Sequence, residues 1–286
     1  MSHADSTALR AGTFRRIAVV AAEEYRRALE GRWLLGFSIL LAALILGLSF
    51  FGLAQGREVG YQGFARVTLS LMNLVLLIVP LTGLMLGVAS VANASGALPL
   101  LLAQPVSRTE VFAGKFAGLA GALIVAQVVG FGAGGVTVAL GAGSEQVAGF
   151  AVLAGLSLLL GCIALSAALM LSALWPDRVR ASSAALALWL LMVVAYDLVV
   201  LGLTATMRGL PLQSLLLPAM LLNPVDLCRV ITTFAAGSGA LLGPTSAVLV
   251  RFFGTAGGMG IALGILGIQL VLPLVLGALI FRRRDW

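Results

Sequence analysis

Few side chains in this sequence could carry out bond-making chemistry. The one histidine is His3, near the start of the chain, so a zinc cluster or a Ser-His-Asp triad has no credible histidine. Cys162 lies inside an apolar run, so it and Cys228 do not predict a disulfide framework. The eight methionines are scattered, and no dense Met or Cys-x-x-Cys motif offers soft ligands for copper. The sequence therefore predicts no catalytic residue, no metal site and no cofactor.

Gly114 and Lys115 form a Gly-Lys pair, but the pair does not belong to a phosphate-binding loop. Thr109 stands where such a loop needs its first glycine, and Phe116 stands where it needs Ser or Thr. If this chain takes part in active transport, another subunit must supply the nucleotide site.

Polar residues at membrane depth are the remaining candidates for function. Asp197 lies well inside an apolar run, next to Tyr196, and a carboxylate there is costly unless it is paired or faces water. It could line a pathway or satisfy a neighbouring helix. We favour the structural role, because a proton-coupled carrier usually offers more than one such acid. Asn223 and Asp226, which follow a short apolar segment, are candidates for the same two roles.

The composition decides which class of protein must position these residues. The 286 residues are 60% hydrophobic and 10% charged, whereas soluble domains carry roughly 45–50% apolar and about 25% charged residues. This balance excludes a soluble domain and predicts an all-α polytopic membrane protein. Six apolar runs are long enough to span a bilayer, which takes about 20 residues per helix. They are residues 33–54, 67–91, 111–140, 147–175, 182–207 and 255–281.

The segment before the first span, within residues 1–32, predicts an amphipathic elbow helix on the membrane surface. Apolar side chains recur at helical spacing and charged residues occupy the other faces. The alternative is an ordinary solvated helix. We favour the elbow because Arg32 and Trp33 lead directly into the apolar run, and Trp is an interface anchor. The apolar positions are Phe14, Ile17, Ala18, Ala21 and Tyr25. Residues 33–286 would form the six-helix transmembrane domain.

The loop of about residues 93–115, between the second and third spans, is the most informative connection. Ser107, with Glu110 three residues later, predicts a capping box at a helix start. The leucine run before it is too short to span the membrane. It predicts either a short helix that presents leucines to a cytoplasmic partner or an amphipathic connector on the membrane. The candidate contact residues are Leu98, Leu100, Leu101, Leu102, Pro105, Arg108 and Lys115.

A second segment, about residues 208–254, does not fit the simple count of spans. Residues 210–222 are apolar but too short to cross, and they contain Pro211 and Pro218. We expect a re-entrant or surface helix on the outer side, whose broken backbone must be buried in protein or line a wet cavity. Elsewhere, small-xxx-small spacing could bring helices or subunits into close contact. It occurs at Gly83/Gly87, Gly114/Gly118 and Gly260/Gly264.

The basic residues predict how the chain is oriented. They lie between apolar runs, which suits topology control and does not suggest nucleic acid. If the N-terminus is inside, 13 of the 18 basic residues lie on the inner side. The outer side then carries only Arg57, Arg66, Arg208, Arg229 and Arg251. The positive-inside rule places both termini in the cytoplasm and residues 210–224 outside.

Cysteine labelling in intact cells tests this orientation. An engineered Gly239→Cys should react with a membrane-impermeant thiol reagent, because we place residue 239 outside. Asp285→Cys should react only after the membrane is opened, because we place the C-terminus inside. The reverse pattern would overturn the orientation, and with it the cytoplasmic position of residues 93–115.

The loop from Leu100 to Arg108, Leu-Leu-Leu-Ala-Gln-Pro-Val-Ser-Arg, closed by Gly114 and Lys115, resembles the signature of type-2 ABC-transporter permeases. The resemblance implies six spans after an elbow helix and a coupling helix that docks on a separate ATPase subunit. It also implies a homodimer in the cell inner membrane, served by two ATPase copies. ATP hydrolysis would belong to the partner subunit, so the chain itself would not be an enzyme.

A narrower resemblance is to permeases that serve the maturation of nitrous oxide reductase. Residues 30–35, 175–185, 196–198 and 281–284 share it, but the segment Leu222-Asn-Pro-Val-Asp226 with Arg229 is the most specific part. This implies export that supports copper-site assembly in a periplasmic enzyme, with a periplasmic accessory protein. Residues 93–97 lack the acid that many relatives carry there. The alternatives are a type-2 exporter of a drug, lipid or glycan, and an ATP-independent membrane scaffold.

Overall fold

The computed structural model describes residues 3–59, 61–92, 107–141, 144–175, 177–199, 202, 212–235 and 252–283. Almost all of these residues are helical, and none of them lies in a strand. The helices are α1 (His3–Glu30), α2 (Arg32–Val59), α3 (Tyr61–Ala92), α4 (Arg108–Gly141), α5 (Ser144–Leu174), α6 (Arg178–Leu190), α7 (Leu212–Leu222), α8 (Pro224–Ala235) and α9 (Ala256–Arg283).

The helices confirm the prediction of an all-α polytopic membrane protein. Within the described residues, α3, α4, α5, α9 and the helix that α6 begins are each long and apolar enough to cross a membrane. Helices α1 and α2 meet this criterion together, as a pair bent by 65° between Glu30 and Arg32. The described part of the chain therefore offers five spans, or six with the bent pair, and each predicted span overlaps a helix.

Helix α5 lies at the centre of the bundle. It packs against α3, α4, α8 and α9, and most of its residues are buried, whereas few residues of α6 and α9 are buried. Buried serines on α5 donate to carbonyl oxygens of their own helix, as Ser157 does to Leu153 over 2.7 Å and Ser172 to Ala168 over 2.8 Å. These bonds satisfy hydroxyl groups that cannot reach water at membrane depth.

Two of the three glycine pairs serve contacts within the chain rather than between subunits. At Gly87 on α3, a Cβ would lie 2.6 Å from the Ala168 Cβ on α5, so only glycine allows this approach. At Gly118 on α4, a Cβ would overlap the Ala21 carbonyl oxygen on α1. Gly260 and Gly264 have no such neighbour within 4 Å, so a role in a subunit contact stays a prediction for that pair alone.

Helices α7 and α8 form a broken pair before the last span. A helix near residues 210–222 was predicted, and α7 confirms that a helix is present there. Helix α8 was not predicted. Asn223 caps the start of α8, since its Oδ1 accepts a hydrogen bond from the Val225 N–H over 3.0 Å. Pro224 occupies the first helical position. At about 18 Å for 12 residues, α8 is too short to cross a membrane.

Helix α8 is nevertheless largely buried in the bundle, against α5 and α3. The Cys228 thiol lies 3.9 Å from the Leu156 carbonyl oxygen of α5, and the Thr233 hydroxyl lies 3.8 Å from the Met72 sulfur of α3. Helix α8 thus packs against protein over most of its residues, as a helix too short to span a membrane requires.

Candidate functional site

The start of α4 follows residues 93–106, which lie outside the described residues, and it has the predicted capping box. The Ser107 N–H donates to the Glu110 carboxylate over 2.8 Å, and the Glu110 N–H donates to the Ser107 hydroxyl over 3.3 Å. Arg16 of α1 lies 3.4 Å from the same carboxylate. The capping box is confirmed, and the helix start is also joined to the N-terminal helix.

A buried ion pair lies two turns further along α4. Lys115 Nζ is 2.6 Å from Glu24 Oε1 of α1, and the side chains are only 2% and 8% exposed. Lys115 also donates to the hydroxyl and the carbonyl oxygen of Ser90 on α3, over 3.2 and 3.4 Å. The Ser90 hydroxyl in turn donates to Glu24 Oε2 over 3.2 Å. These three residues, Glu24, Ser90 and Lys115, are called the stem lock below.

The stem lock exists because α1 and α4 approach closely. Gly114 and Gly118 have no side chains, so Val20 and Ala21 of α1 pack directly against the backbone of α4. This close packing brings Glu24, on the next turn of α1, within reach of Lys115. The burial of a carboxylate and an ammonium group is tolerated only when the two are paired and hydrogen-bonded. Because Ser90 and Lys115 lie on the two sides of residues 93–106, the helix before that segment and the helix after it are both bonded to Glu24 of α1.

The structure therefore describes only part of the predicted coupling loop. Lys115 is central to the stem lock, and Arg108 is the first residue of α4. The other predicted contact residues, Leu98, Leu100, Leu101, Leu102 and Pro105, lie outside the described residues. Glu24 and Ser90 were missed in the sequence. Glu24 carried a signal, because it occupies the same helical face as Ala21 and Ala28.

The four polar residues predicted from the sequence meet in a second cluster, where α6 ends and α8 begins. Helix α6 passes into a π-helical turn, Leu191–Ala195, and such turns free backbone groups. The Asn223 amide donates to the Met192 carbonyl oxygen of this turn over 2.7 Å. Tyr196 donates its hydroxyl to the Ala219 carbonyl oxygen of α7. The two residues thus connect the broken helix pair to α6.

Arg229 completes this cluster, although the sequence did not predict it as a site residue. Its guanidinium lies 2.7 Å from Asp226 Oδ1 on the same helix and 3.3 Å from Asp197 Oδ2 on the extension of α6. Asp226 is 9% exposed and Asp197 is 45% exposed. Asp226 is therefore the closer and better buried partner of Arg229. Asp197 makes a longer and more exposed contact with the same guanidinium.

Because Arg229 lies closer to Asp226 than to Asp197, we expect Asp197→Asn to have a mild effect. The amide can still accept a hydrogen bond from Arg229, and Arg229 keeps Asp226 as its ionic partner, so most transport activity should remain. Asp226→Asn is the matched variant and should be more damaging, since the ionic partner that Arg229 keeps would then be the more distant and more exposed Asp197. Transport and assembly of the purified complex are measured together. Loss of transport in an intact Asp197→Asn complex would instead place this carboxylate in a pathway.

The comparison with known proteins decides the identity of the chain. Residues 18–286 match the family described as ABC-2 family transporter protein. The chain belongs to the ABC-2 transporter family. The matched range contains the residues of the stem lock and of the cluster around Arg229. Membership in this family implies an ATPase partner for the chain, which is thus a subunit of a transporter.

Two relatives of this ABC-2 protein are named as permeases. The probable ABC transporter permease protein NosY of Pseudomonas aeruginosa is 34% identical over 219 residues, covering 74% of this chain and 79% of the relative. The protein of the same name from Stutzerimonas stutzeri is 32% identical over 234 residues, covering 79% of this chain and 85% of the relative. Permeases of this kind are generally the non-catalytic subunits of their transporters.

Proposed function

We propose that this chain is the membrane-spanning, non-catalytic subunit of an exporter in the cell inner membrane. Residues 33–286 form its permease domain and residues 1–32 its cytoplasmic start and elbow. Two copies form a homodimer, and two copies of a separate ATPase drive it. Family membership supports the ATPase partner, and the stem lock is the observation that supports how the partner is engaged.

The coupling step follows from the position of the stem lock. Residues 93–107 and the first residue of α4 form the surface that contacts the ATPase, with Leu98, Leu100, Leu101, Leu102 and Pro105 inserted into the ATPase and Arg108 at the rim. ATP closes the ATPase dimer and displaces this loop. Because Ser90 and Lys115 are both bonded to Glu24, the displacement passes to α1 as a unit instead of being absorbed by two independent stems. Contiguous packed and bonded groups are the means by which such coupling travels.

The process that the exporter serves is inferred from the narrower resemblance and from the relatives, which carry the name NosY. We assign the chain to an exporter that supports copper-site maturation of a periplasmic nitrous oxide reductase, together with a periplasmic accessory protein. Tyr196, Asp197, Asn223 and Asp226 support the broken helix pair α7–α8 on the outer side. They position backbone rather than react with cargo.

Assembly with co-expressed neighbours tests this function. The tagged chain, expressed with the ATPase and reductase genes of its own source, should retain the ATPase in equal copy number. Deleting the chain should leave the reductase without its copper. A drug, lipid or glycan exporter would retain the ATPase but leave the copper content of the reductase unchanged. A scaffold independent of ATP would retain no ATPase at all, and either result would overturn the proposal.

A further inference from the structure

A cavity of about 460 Å³ lies where α1 bends into α2, against the end of α3 and the start of α6. Its volume falls within the roughly 300–1,000 Å³ that is typical of ligand pockets. Most of its walls are apolar. The apolar walls include Ala28, Leu34, Met85, Leu86, Val88 and Leu119.

The charged groups of the cavity give it a positive balance. Arg27 of α1 and Arg178 of α6 line it, and both are exposed. Glu24 also lines it, but this carboxylate is already compensated by Lys115 at 2.6 Å. Arg27 pairs with Glu23 outside the cavity over 2.8 Å, which is a surface pair of small energy. Among the described residues Arg178 has no ion pair.

The position of the cavity along the bundle matches a membrane–water interface. The cavity lies at the 65° bend between the charged helix α1 and the apolar helix α2. Trp33, which is 61% exposed, lines it at the first turn of α2. Exposed tryptophans gather at the level of lipid headgroups. A ligand here would meet two guanidinium groups at the aqueous side and apolar walls on the side of the hydrocarbon.

We propose that this cavity binds one anionic phospholipid from the leaflet on the arginine-rich side of the protein. The phosphate lies between Arg27 and Arg178, where planar guanidinium groups give charge-assisted hydrogen bonds to phosphate oxygens. The part of the acyl chains nearest the headgroup lies against Leu34 and Met85. Basic pockets between transmembrane helices recognise anionic headgroups by this chemistry. The site is independent of the transported cargo, and through Glu24 and Ser90 the lipid touches the stem lock.

Native mass spectrometry of the full chain, purified and delipidated in detergent, tests the site. The chain is titrated with phosphatidylglycerol and, separately, with phosphatidylcholine of the same acyl chains. We expect one phosphatidylglycerol per chain, bound at least tenfold more tightly than phosphatidylcholine. Arg27→Ala with Arg178→Ala should remove this preference. Ala89→Phe, which fills the cavity without changing its charge, should weaken the binding of phosphatidylglycerol by a similar factor.

The chain provides a control of equal charge one and two residues away. Arg26 and Arg180 do not line the cavity and pair with exposed acids of their own helices or caps. Arg26→Ala with Arg180→Ala should therefore keep the tenfold preference. Equal loss in both double variants would show general surface attraction and overturn the site. Equal binding of the two lipids by the unmodified chain would also overturn it, as would equally tight binding of glycerol 3-phosphate, which has no acyl chain.

Discussion

Lys115→Met is expected to destabilise the protein by about 3–5 kcal/mol. The substitution leaves the Glu24 carboxylate buried without its cation, and breaking a buried pair by removing one partner has a cost of this size. Ser90 can donate only one hydrogen bond to that carboxylate, which does not replace the ammonium. The measurement is the thermal transition of the purified chain in detergent, together with the yield of inserted protein.

Two variants separate the buried charge from the general effect of the substitution. Adding Glu24→Gln to Lys115→Met removes both charges and should recover most of the stability, because a neutral amide needs no counter-ion. Arg26→Met removes a pair with Glu30 that lies 3.5 Å away with both side chains largely exposed, so its cost should be about 0–1 kcal/mol. If Lys115→Met were as stable as the unmodified chain, the stem lock would not be a buried pair.

The double variant also tests the coupling role of the stem lock. If the ion pair passes the movement of the ATPase to α1, then a stable double variant should still associate with the ATPase but transmit its movement less well. ATP turnover stimulated by the permease should then fall while association persists. Full stimulation in the stable double variant would show that packing of α1 on α4 couples the loop without the ion pair.

Local signals in the sequence were sufficient for the parts of the fold that depend on neighbouring residues. The apolar runs predicted the helices because a span must satisfy its backbone within itself. Ser107 and Glu110 predicted their capping box because both partners lie within one turn. The same reasoning placed a helix at residues 210–222 in spite of its prolines.

Contacts between distant residues could not be predicted in this way. Glu24 and Lys115 are 91 residues apart, and a single sequence does not state which helix faces which. Helix α8 had a start signal in Asn223 and Pro224, but Asp226 and Arg229 at i and i+3 are equally typical of a solvated face. Its burial depends on α5 and α3, and the π-helical turn that receives Asn223 has no sequence signature of its own.

Leu101→Asp is expected to abolish association with the ATPase while the chain still enters the membrane. Residues 100–102 are leucines in a loop otherwise predicted to face the cytoplasm, and apolar groups exposed there mark a contact. A few buried anchors carry most of the energy of an interface. An aspartate in place of such an anchor would be buried and unpaired, at a cost of about 2–5 kcal/mol. Co-purification of the ATPase and its stimulated turnover are measured against the amount of inserted chain.

The graded variants decide whether the effect belongs to the interface. Leu101→Met conserves volume and polarity and should keep association, since such exchanges usually cost less than about 1.5 kcal/mol. Arg108→Ala should weaken association only slightly, because a charge at the rim contributes about 0–1 kcal/mol. The stem lock lies outside this surface, so the melting of Leu101→Asp should match that of the unmodified chain. Unchanged association and turnover in Leu101→Asp would place the ATPase contact elsewhere and favour a membrane scaffold.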